Sequence, residues 1–326
     1  MPEKQNNCNL INKYILFQLQ YSINNISRVN LISKTDLSSN LVNEFSELQG
    51  FVSYYYAKFF QENKKIYASL QDQYYPRFAN EDIPTCKYSI IICLSDLIDS
   101  ICCLFKQKNI NSDKDPYALR RKALGISKIL IKNKINCDLN KIFIFNMYIY
   151  LNFIKVEDTF SIINFCISRL KVWYLKQDIP KKIVNAVIKK NADPYDISLR
   201  IKATMYFFNQ CKQKSSFSIF KRVSNFIIKN QLFNKSRSLE TIDPLYIKNA
   251  SEKNIFFEIT KIELLLSKKY CYKQYYTFLL NIVVYVEIFF RDNIIISKDK
   301  KISNNRINII LRLNRIFNYV IEMKNL

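Results

Sequence analysis

The chain of 326 residues contains no histidine and only two glycines, Gly50 and Gly125. An average glycine content of about 7% would give roughly 23 in a chain of this length. P-loops and dinucleotide-binding turns need two or three closely spaced glycines, because the backbone must approach the phosphates. Ser-His-Asp catalysis, Cys-His catalysis and HExxH zinc sites all need histidine. The sequence therefore excludes these classes of site from this chain.

Paired cysteines are missing as well. Nine cysteines are present, but their number is odd and no two of them form a C-x-x-C pair. Zinc ribbons and disulfide frameworks use paired cysteines at regular spacing. We therefore predict reduced thiols that behave as small and mostly buried apolar residues.

Long uncharged apolar runs are rare. The two most apolar segments, 89–105 and 275–290, are interrupted by Asp96 and Asp99 and by Glu287. Neither segment reaches the length of about 18 uncharged residues that indicates a membrane span. The N-terminus lacks the apolar core of a secretory signal peptide. These features predict a cytoplasmic protein with no membrane partner.

Positive charge is abundant: 50 Lys and Arg against 27 Asp and Glu give a net charge of +23. Clustered cations favour a polyanionic partner, because they release counterions from a phosphate backbone. A/T-rich codons offer another explanation for part of the lysine excess, since Asn, Ile, Tyr and Phe are also abundant. Arginine is the better functional marker, because its planar fork binds phosphate through two hydrogen bonds.

The apolar pattern predicts an all-α fold. Three prolines follow an aspartate at the start of apolar-periodic segments, which is typical of a helix N-cap and first helical residue. These pairs are Asp115-Pro116, Asp193-Pro194 and Asp243-Pro244. Strand signals are few, and neither glycine forms an Asn-Gly or Asp-Gly hairpin turn.

Two polar segments, 131–141 and 230–243, are typical of domain boundaries. They predict three parts, at residues 1–135, 136–235 and 236–326.

Four motifs in the first part are more specific than composition. In chain order they are EFSELQG at 44–50, YYYA at 54–57, YPRFANEDIP at 75–84 and DKDPYALRRKALG at 113–125. Their order and spacing closely resemble the β subunit of the bacterial heterotetrameric glycyl-tRNA synthetase, whose pattern reads approximately EFPELQG, YYA, PRFAGD-x-LP and GDKDPFALRRAALG. Residues 95–99 (SDLID) are similar to the family's ADKLD motif and keep both aspartates. The two glycines close the first and last motifs, which indicates close helix packing or a left-handed backbone at Gly50.

The resemblance extends through the rest of the chain. KRVSNFII at 221–228 is similar to the family's KRVxNI motif, FFRDNIII at 289–296 to FFDxVMV, and NRI at 305–307 to NRL. Arg291 stands in place of the family's acidic residue, and Ser303 in place of an arginine. Family members carry a long region before EFPELQG, whereas 43 residues precede the motif here. The resemblance therefore predicts that this region is deleted or supplied by another polypeptide.

The resemblance implies an HD-type helical domain at 1–135, a helical middle region at 136–235 and, at 236–326, an anticodon-binding helical bundle similar to that of arginyl-tRNA synthetase. It implies that glycine and ATP are activated on a separate α subunit, so this chain carries no catalytic residue, no metal site and no cofactor. ATP and Mg²⁺ are expected at the α subunit. The expected partners are tRNA(Gly) and this subunit, in a heterotetramer of two α and two β chains. The expected function is that of the tRNA-binding β subunit, which supports ATP-dependent attachment of glycine to tRNA(Gly). A degenerate HD phosphohydrolase and a generic basic RNA-binding protein are the alternatives.

Seven basic residues are the candidate tRNA contacts, with a structural alternative for each. Lys221 and Arg222 begin an apolar-periodic run, so a solvated helix face is their alternative role. For Arg120 and Arg121 the alternative is an intramolecular network with neighbouring aspartates. The remaining three candidates occupy the terminal helix, opposite its apolar stripe: Arg306, Arg312 and Arg315.

Four charged residues are predicted to form a structural network: Asp96, Asp99, Lys114 and Asp115. Asp96 and Asp99 also suggest a relic of an HD metal site, but HD phosphohydrolases need histidines that this chain lacks. We therefore predict that the two aspartates cap helices or pair with cations such as Arg77 or Lys114.

Overall fold

A computed structural model describes residues 2–78, 81–105, 117–149, 156–188, 192–214, 217–230, 241–268, 270–321 and 323. All regular elements in these ranges are helices, and no strand occurs in them. The predicted all-α class is confirmed.

Fifteen α-helices lie in the described ranges, with short 3₁₀ helices at Thr35–Ser38, Ser46–Leu48 and Pro244–Tyr246. The α-helices are α1 (Pro2–Leu19), α2 (Ile26–Ile32), α3 (Asn40–Glu44), α4 (Phe51–Phe59), α5 (Lys64–Asp72), α6 (Lys87–Phe105), α7 (Leu119–Lys132), α8 (Leu139–Ile149), α9 (Val156–Leu175), α10 (Lys181–Ile188), α11 (Pro194–Lys214), α12 (Phe217–Lys229), α13 (Ala250–Leu266), α14 (Tyr272–Asp292) and α15 (Lys300–Phe317).

The chain forms two compact units. Unit 1 comprises Met1–Gln177 and Ala192–Asp196, and unit 2 comprises Asp178–Asn191 and Ile197–Leu326. The division into three parts at 135 and 235 stays a prediction, as does the HD-type character of the first part.

The core of unit 1 is built around α6, which packs against α1, α5 and α7. Its residues Ile91, Ile98 and Ile101 are completely buried. By length and composition alone α6 is apolar enough to cross a membrane, contrary to the expectation from its two aspartates. However, 72% of its most apolar window is buried inside the protein, as in a core helix.

The core of unit 2 is rich in aromatic side chains, and it lies among α12, α13, α14 and α15 together with α11. Phe207 of α11 stacks on Tyr276 of α14 with ring centroids 4.6 Å apart. Phe220 of α12 meets Phe317 of α15 edge to face at 4.8 Å. None of the nine cysteines of the chain forms a disulfide and six are buried, which confirms the prediction of reduced and mostly buried cysteines.

The three Asp-Pro pairs have different outcomes. Asp193 Oδ1 accepts the backbone N–H groups of Tyr195 and Asp196, and α11 begins at Pro194 as predicted. Asp243 Oδ1 accepts the Leu245 N–H and Pro244 lies in the first turn, as predicted, but the element that Asp243 caps is a three-residue 3₁₀ helix and not an α-helix. The amide of Asn305 bonds both the N–H and the carbonyl of Asp243, and the chain is extended at Ile247. Asp115-Pro116 lies outside the described residues.

Candidate functional site

The motif at 44–50 ends in a tight backbone turn at Gly50. The Gly50 N–H donates to Asp36 Oδ2 at 2.7 Å, and the Tyr74 hydroxyl donates to Asp36 Oδ1 at 2.9 Å. Gly50 has φ +84°, and an added Cβ would lie 2.7 Å from the backbone oxygen of Gln71. Only glycine fits this position without a shift of the backbone, which confirms the left-handed conformation suggested by the sequence.

Three of the motif segments contact one another in unit 1. The Arg77 guanidinium donates to the Gln49 carbonyl at 2.5 Å, and Arg121 Nη1 donates to the Arg77 carbonyl at 3.4 Å. A Cβ added to Gly125 would lie 3.3 Å from Pro76 Cγ, so the helix and the proline are already in close contact. The motifs at 44–50, 75–84 and 113–125 therefore form a joint structural network.

Asp96 lies between two ammonium groups. Lys4 Nζ is 2.9 Å from Asp96 Oδ1, and Lys34 Nζ is 3.1 Å from Asp96 Oδ2. Burial alone would raise the pKa of Asp96, but Lys34 and Lys4 outweigh it and lower the pKa to about 2. The fully buried Asp99 lies 3.9 Å from Lys4 Nζ. Arg77, which the sequence suggested as a partner of Asp96, is therefore not its partner. Sequence alone did not show that α1 brings Lys4 to α6.

No group of three Cys, Asp or Glu side chains in the described part of the chain is placed to hold a metal ion. Lys114 and Asp115 lie outside the described residues. Arg120 is half-buried on α7, and Arg121 is exposed beside it. Contact of either arginine with tRNA stays a prediction.

Two of the three candidate arginines on α15 form ion pairs within unit 2. Arg306 Nε donates to Glu252 Oε1 at 2.5 Å, and Arg306 Nη1 donates to the Ile294 carbonyl at 2.7 Å. The side chains of Arg306 and Glu252 are only 11% and 2% exposed. Arg312 forms two hydrogen bonds with Glu263, one of them from Nε to Oε1 at 2.9 Å. This geometry favours a structural role for Arg306 and Arg312.

Arg315 is exposed on the same helix. Contact of the three α15 arginines with tRNA stays a prediction.

Lys221 and Arg222 are exposed on α12 and border a groove of about 620 Å³. We call this the α12 groove: it lies between the polar face of α12, Phe290 of α14 and residues 293–296. The Arg222 guanidinium lies over the Phe290 ring, 4.5 Å from its centroid.

The sequence reasoning missed Lys229, Phe226 and Phe290 as members of this site. A helical signal for two of them was present in the motif at 221–228 and the residue that follows it. Lys221 and Lys229 are separated by two four-residue steps, and Arg222 and Phe226 by one, which places each pair on one helix face. Phe290 had no such signal, because it belongs to a different helix.

Comparison with known proteins gives the same family as the motifs. Residues 1–189 match the family described as glycyl-tRNA synthetase beta subunit. The glycine–tRNA ligase beta subunit of Pseudoalteromonas atlantica is 30% identical over 312 residues, which are 94% of this chain and 44% of that protein.

The glycine–tRNA ligase beta subunit of Buchnera aphidicola is 32% identical over 90% of this chain and 42% of its own length. The subunit of the same name from Coxiella burnetii is 31% identical over 91% of this chain and 44% of its own length. The chain thus spans less than half the length of these relatives. Since the family match covers more than half of the chain and the relatives cover nearly all of it, the chain belongs to the glycyl-tRNA synthetase beta subunit family.

Proposed function

We propose that this chain binds tRNA(Gly) and supports attachment of glycine to it by a separate α subunit. The observation that carries the proposal is the match of 94% of the chain to a protein named glycine–tRNA ligase beta subunit. A ligase with a β subunit needs a partner that completes the enzyme. Two α and two β chains are the proposed assembly, and a cytoplasmic location is proposed with it.

In this proposal the chain holds RNA and takes no part in bond formation. Without histidine it has no side chain whose ordinary pKa lies near neutral pH. ATP and Mg²⁺ are proposed to act on the α subunit. Unit 1 is proposed to contain the HD-type domain, and unit 2 the anticodon-binding bundle.

The charge of the chain supports an RNA partner. A net charge of +23 attracts polyanions at long range and accelerates their association. The exposed cations of α12 offer a local contact for phosphates, whereas Arg306 and Arg312 are engaged by carboxylates. Among the proposed tRNA-contact residues, Lys221 and Arg222 therefore have the stronger structural support.

The direct experiment measures glycylation of tRNA(Gly) with the α subunit alone, with this chain alone and with both. We expect product only, or in large excess, when both chains are present. Light scattering of the mixture gives the mass of the complex and therefore the number of α and β chains in it. A tRNA specific for another amino acid is the control substrate. An unchanged rate on adding this chain would contradict the proposal.

Two other outcomes correspond to the alternative functions. Binding of RNA without stimulation of glycylation would support a generic RNA-binding protein. Metal-dependent hydrolysis of nucleotides by this chain alone would support a phosphohydrolase. No observation in the described residues favours the latter, because Asp96 is engaged by two lysines.

A further inference from the structure

The cations at the α12 groove differ from the other candidate arginines in their surroundings. Lys221, Arg222 and Lys229 are exposed. Among the described residues, no carboxylate lies within ion-pair distance of any of these three cations. No acidic side chain belongs to the described lining of the groove. Within the part of the chain that the structure describes, the groove is therefore a concentration of positive charge with no carboxylate paired to it.

The groove also offers flat and apolar surface. The Arg222 guanidinium stacks on the Phe290 ring, and the Phe226 ring lies edge to face with Phe290 at 6.4 Å. Ile294 and Ile296 on the opposite side are 77% and 60% exposed. A guanidinium that already lies on an aromatic ring is a platform on which an unpaired base stacks.

The wall opposite α12 is fixed by hydrogen bonds. Arg306 Nη1 donates to the Ile294 carbonyl, and the Ser303 hydroxyl donates to the Ile295 carbonyl at 3.1 Å. Asn293 is buried, and its amide donates to the Ser251 hydroxyl at 2.9 Å. Residues 293–296 are thus held in place from α13 and α15. The shape of the groove follows from these contacts.

We propose that the α12 groove binds unpaired nucleotides of an RNA strand. One base stacks on the Arg222–Phe290 platform, and neighbouring phosphates contact Lys221 and Lys229. These two lysines are eight residues apart on the helix, or about 12 Å along its axis, so they reach different phosphates. Arg306 is a positioning residue that holds the groove wall. The inference rests on the proposed function and specifies where, and through which chemistry, unit 2 meets RNA.

The first test uses charge-matched double variants of the full chain. K221A/K229A removes two cations from the groove, whereas K64A/K65A removes two exposed cations from α5 and changes the net charge equally. Binding of a labelled ten-nucleotide oligouridine and of tRNA(Gly) is followed by fluorescence anisotropy over a range of salt concentrations. For oligouridine we expect K221A/K229A to flatten the log–log salt slope by about 1.4, since each phosphate contact on a single strand contributes about 0.7. K64A/K65A should retain the wild-type slope.

The second test separates stacking from charge. Arg222→Lys keeps the positive charge but loses the planar guanidinium. We expect the Kd for oligouridine to rise about fivefold or more, in line with the measured contribution of base stacking, and the salt slope to stay close to that of wild type. Arg222→Lys should have little effect on binding of a blunt RNA duplex, which has no unpaired base. Far-UV circular dichroism of each variant verifies that the fold is retained.

The outcomes distinguish this inference from the proposed function. If wild type binds tRNA(Gly) while K221A/K229A and Arg222→Lys bind oligouridine and tRNA(Gly) equally well, the groove inference is overturned and the proposed function stands. If wild type binds neither RNA, both are overturned. Equal losses for oligouridine and duplex RNA on Arg222→Lys would overturn base stacking. If these variants bind RNA as wild type does but no longer associate with the α subunit, the groove is a protein contact and the RNA inference is overturned.

Discussion

At the residue scale, the two glycines differ in how strictly their positions require glycine. Gly50 has a positive φ, and its position leaves no space for a Cβ beside the Gln71 carbonyl. Gly125 lies within α7, where its φ is ordinary, and it is limited only by side-chain atoms of Pro76 and Leu97.

Gly50→Ala should therefore lower the free energy of unfolding by about 2–3 kcal/mol, because a side chain in this backbone region is strained and also clashes with a backbone oxygen. Urea denaturation followed by circular dichroism measures this change. Gly125→Ala is the matched control, with an expected change within about 1 kcal/mol, since the gain in helix propensity offsets the tighter contact. Equal destabilisation by both substitutions would contradict this account.

Single residues also show what the sequence could and could not predict. The motif pattern predicted the special backbone at Gly50, because a chain with so few glycines keeps one only where it is needed. The partners of Arg306 and Arg312 were beyond prediction, since Glu252 and Glu263 lie 54 and 49 residues away in sequence. Helical spacing places an arginine on a face of its own helix. It gives no information about which acid another helix presents to it.

At the element scale, the same dipeptide begins a long helix at one position and a single turn at another. Asp193 Oδ1 caps the 21-residue helix α11, and its Oδ2 accepts the Cys137 N–H at 2.8 Å. Asp243 Oδ1 accepts only the Leu245 N–H at the start of the 3₁₀ helix. The two aspartates thus have the same local sequence signal but unequal structural roles.

Asp193→Ala should lower the free energy of unfolding by about 1–2 kcal/mol, because the substitution removes an N-cap and leaves a part-buried N–H without its acceptor. Asp243→Ala should cost about 0.5 kcal/mol or less, since the capped 3₁₀ turn is exposed and short. Thermal denaturation of the two variants under identical conditions makes the comparison. A larger loss of unfolding free energy for Asp243→Ala than for Asp193→Ala would contradict the conclusion that Asp193 is the more important cap.

Helix type was predictable from apolar periodicity, but helix length at an Asp-Pro pair was not. A cap determines where a helix starts, whereas its end depends on what the following residues contact. Asn305 on α15 binds the backbone of Asp243 on both sides, a contact across 62 residues. For α12 the local pattern was sufficient to align Lys221 with Lys229, but Phe290 completes the groove from another helix.

At the scale of the whole molecule, the chain comprises two units with separate cores. The single tryptophan, Trp173 on α9, belongs to unit 1 and packs against Tyr174 at 4.8 Å. The Arg306–Glu252 ion pair belongs to unit 2. Trp173 fluorescence therefore reports on one unit, while circular dichroism reports on both.

Arg306→Ala should destabilise unit 2 by about 3 kcal/mol or more, because it leaves the buried Glu252 carboxylate without its cation. We expect part of the circular dichroism transition to move to lower urea concentration, while the Trp173 fluorescence transition stays in place. Lys253→Ala, an exposed change on α13, is the control and should move neither transition. A shift of the fluorescence midpoint equal to that of circular dichroism would mean that both units unfold together.

The contact of Arg306 with the Ile294 carbonyl also affects how mutational data on this protein should be read. An alanine scan scored by RNA affinity would rank Arg306 beside Arg222, although its guanidinium is occupied by Glu252 and the backbone. The loss at Arg222 would remove a contact, whereas the loss at Arg306 would deform the surface that makes contacts. Selection for RNA affinity would then preserve both arginines equally, and the strength of that selection would not reveal which of them touches RNA.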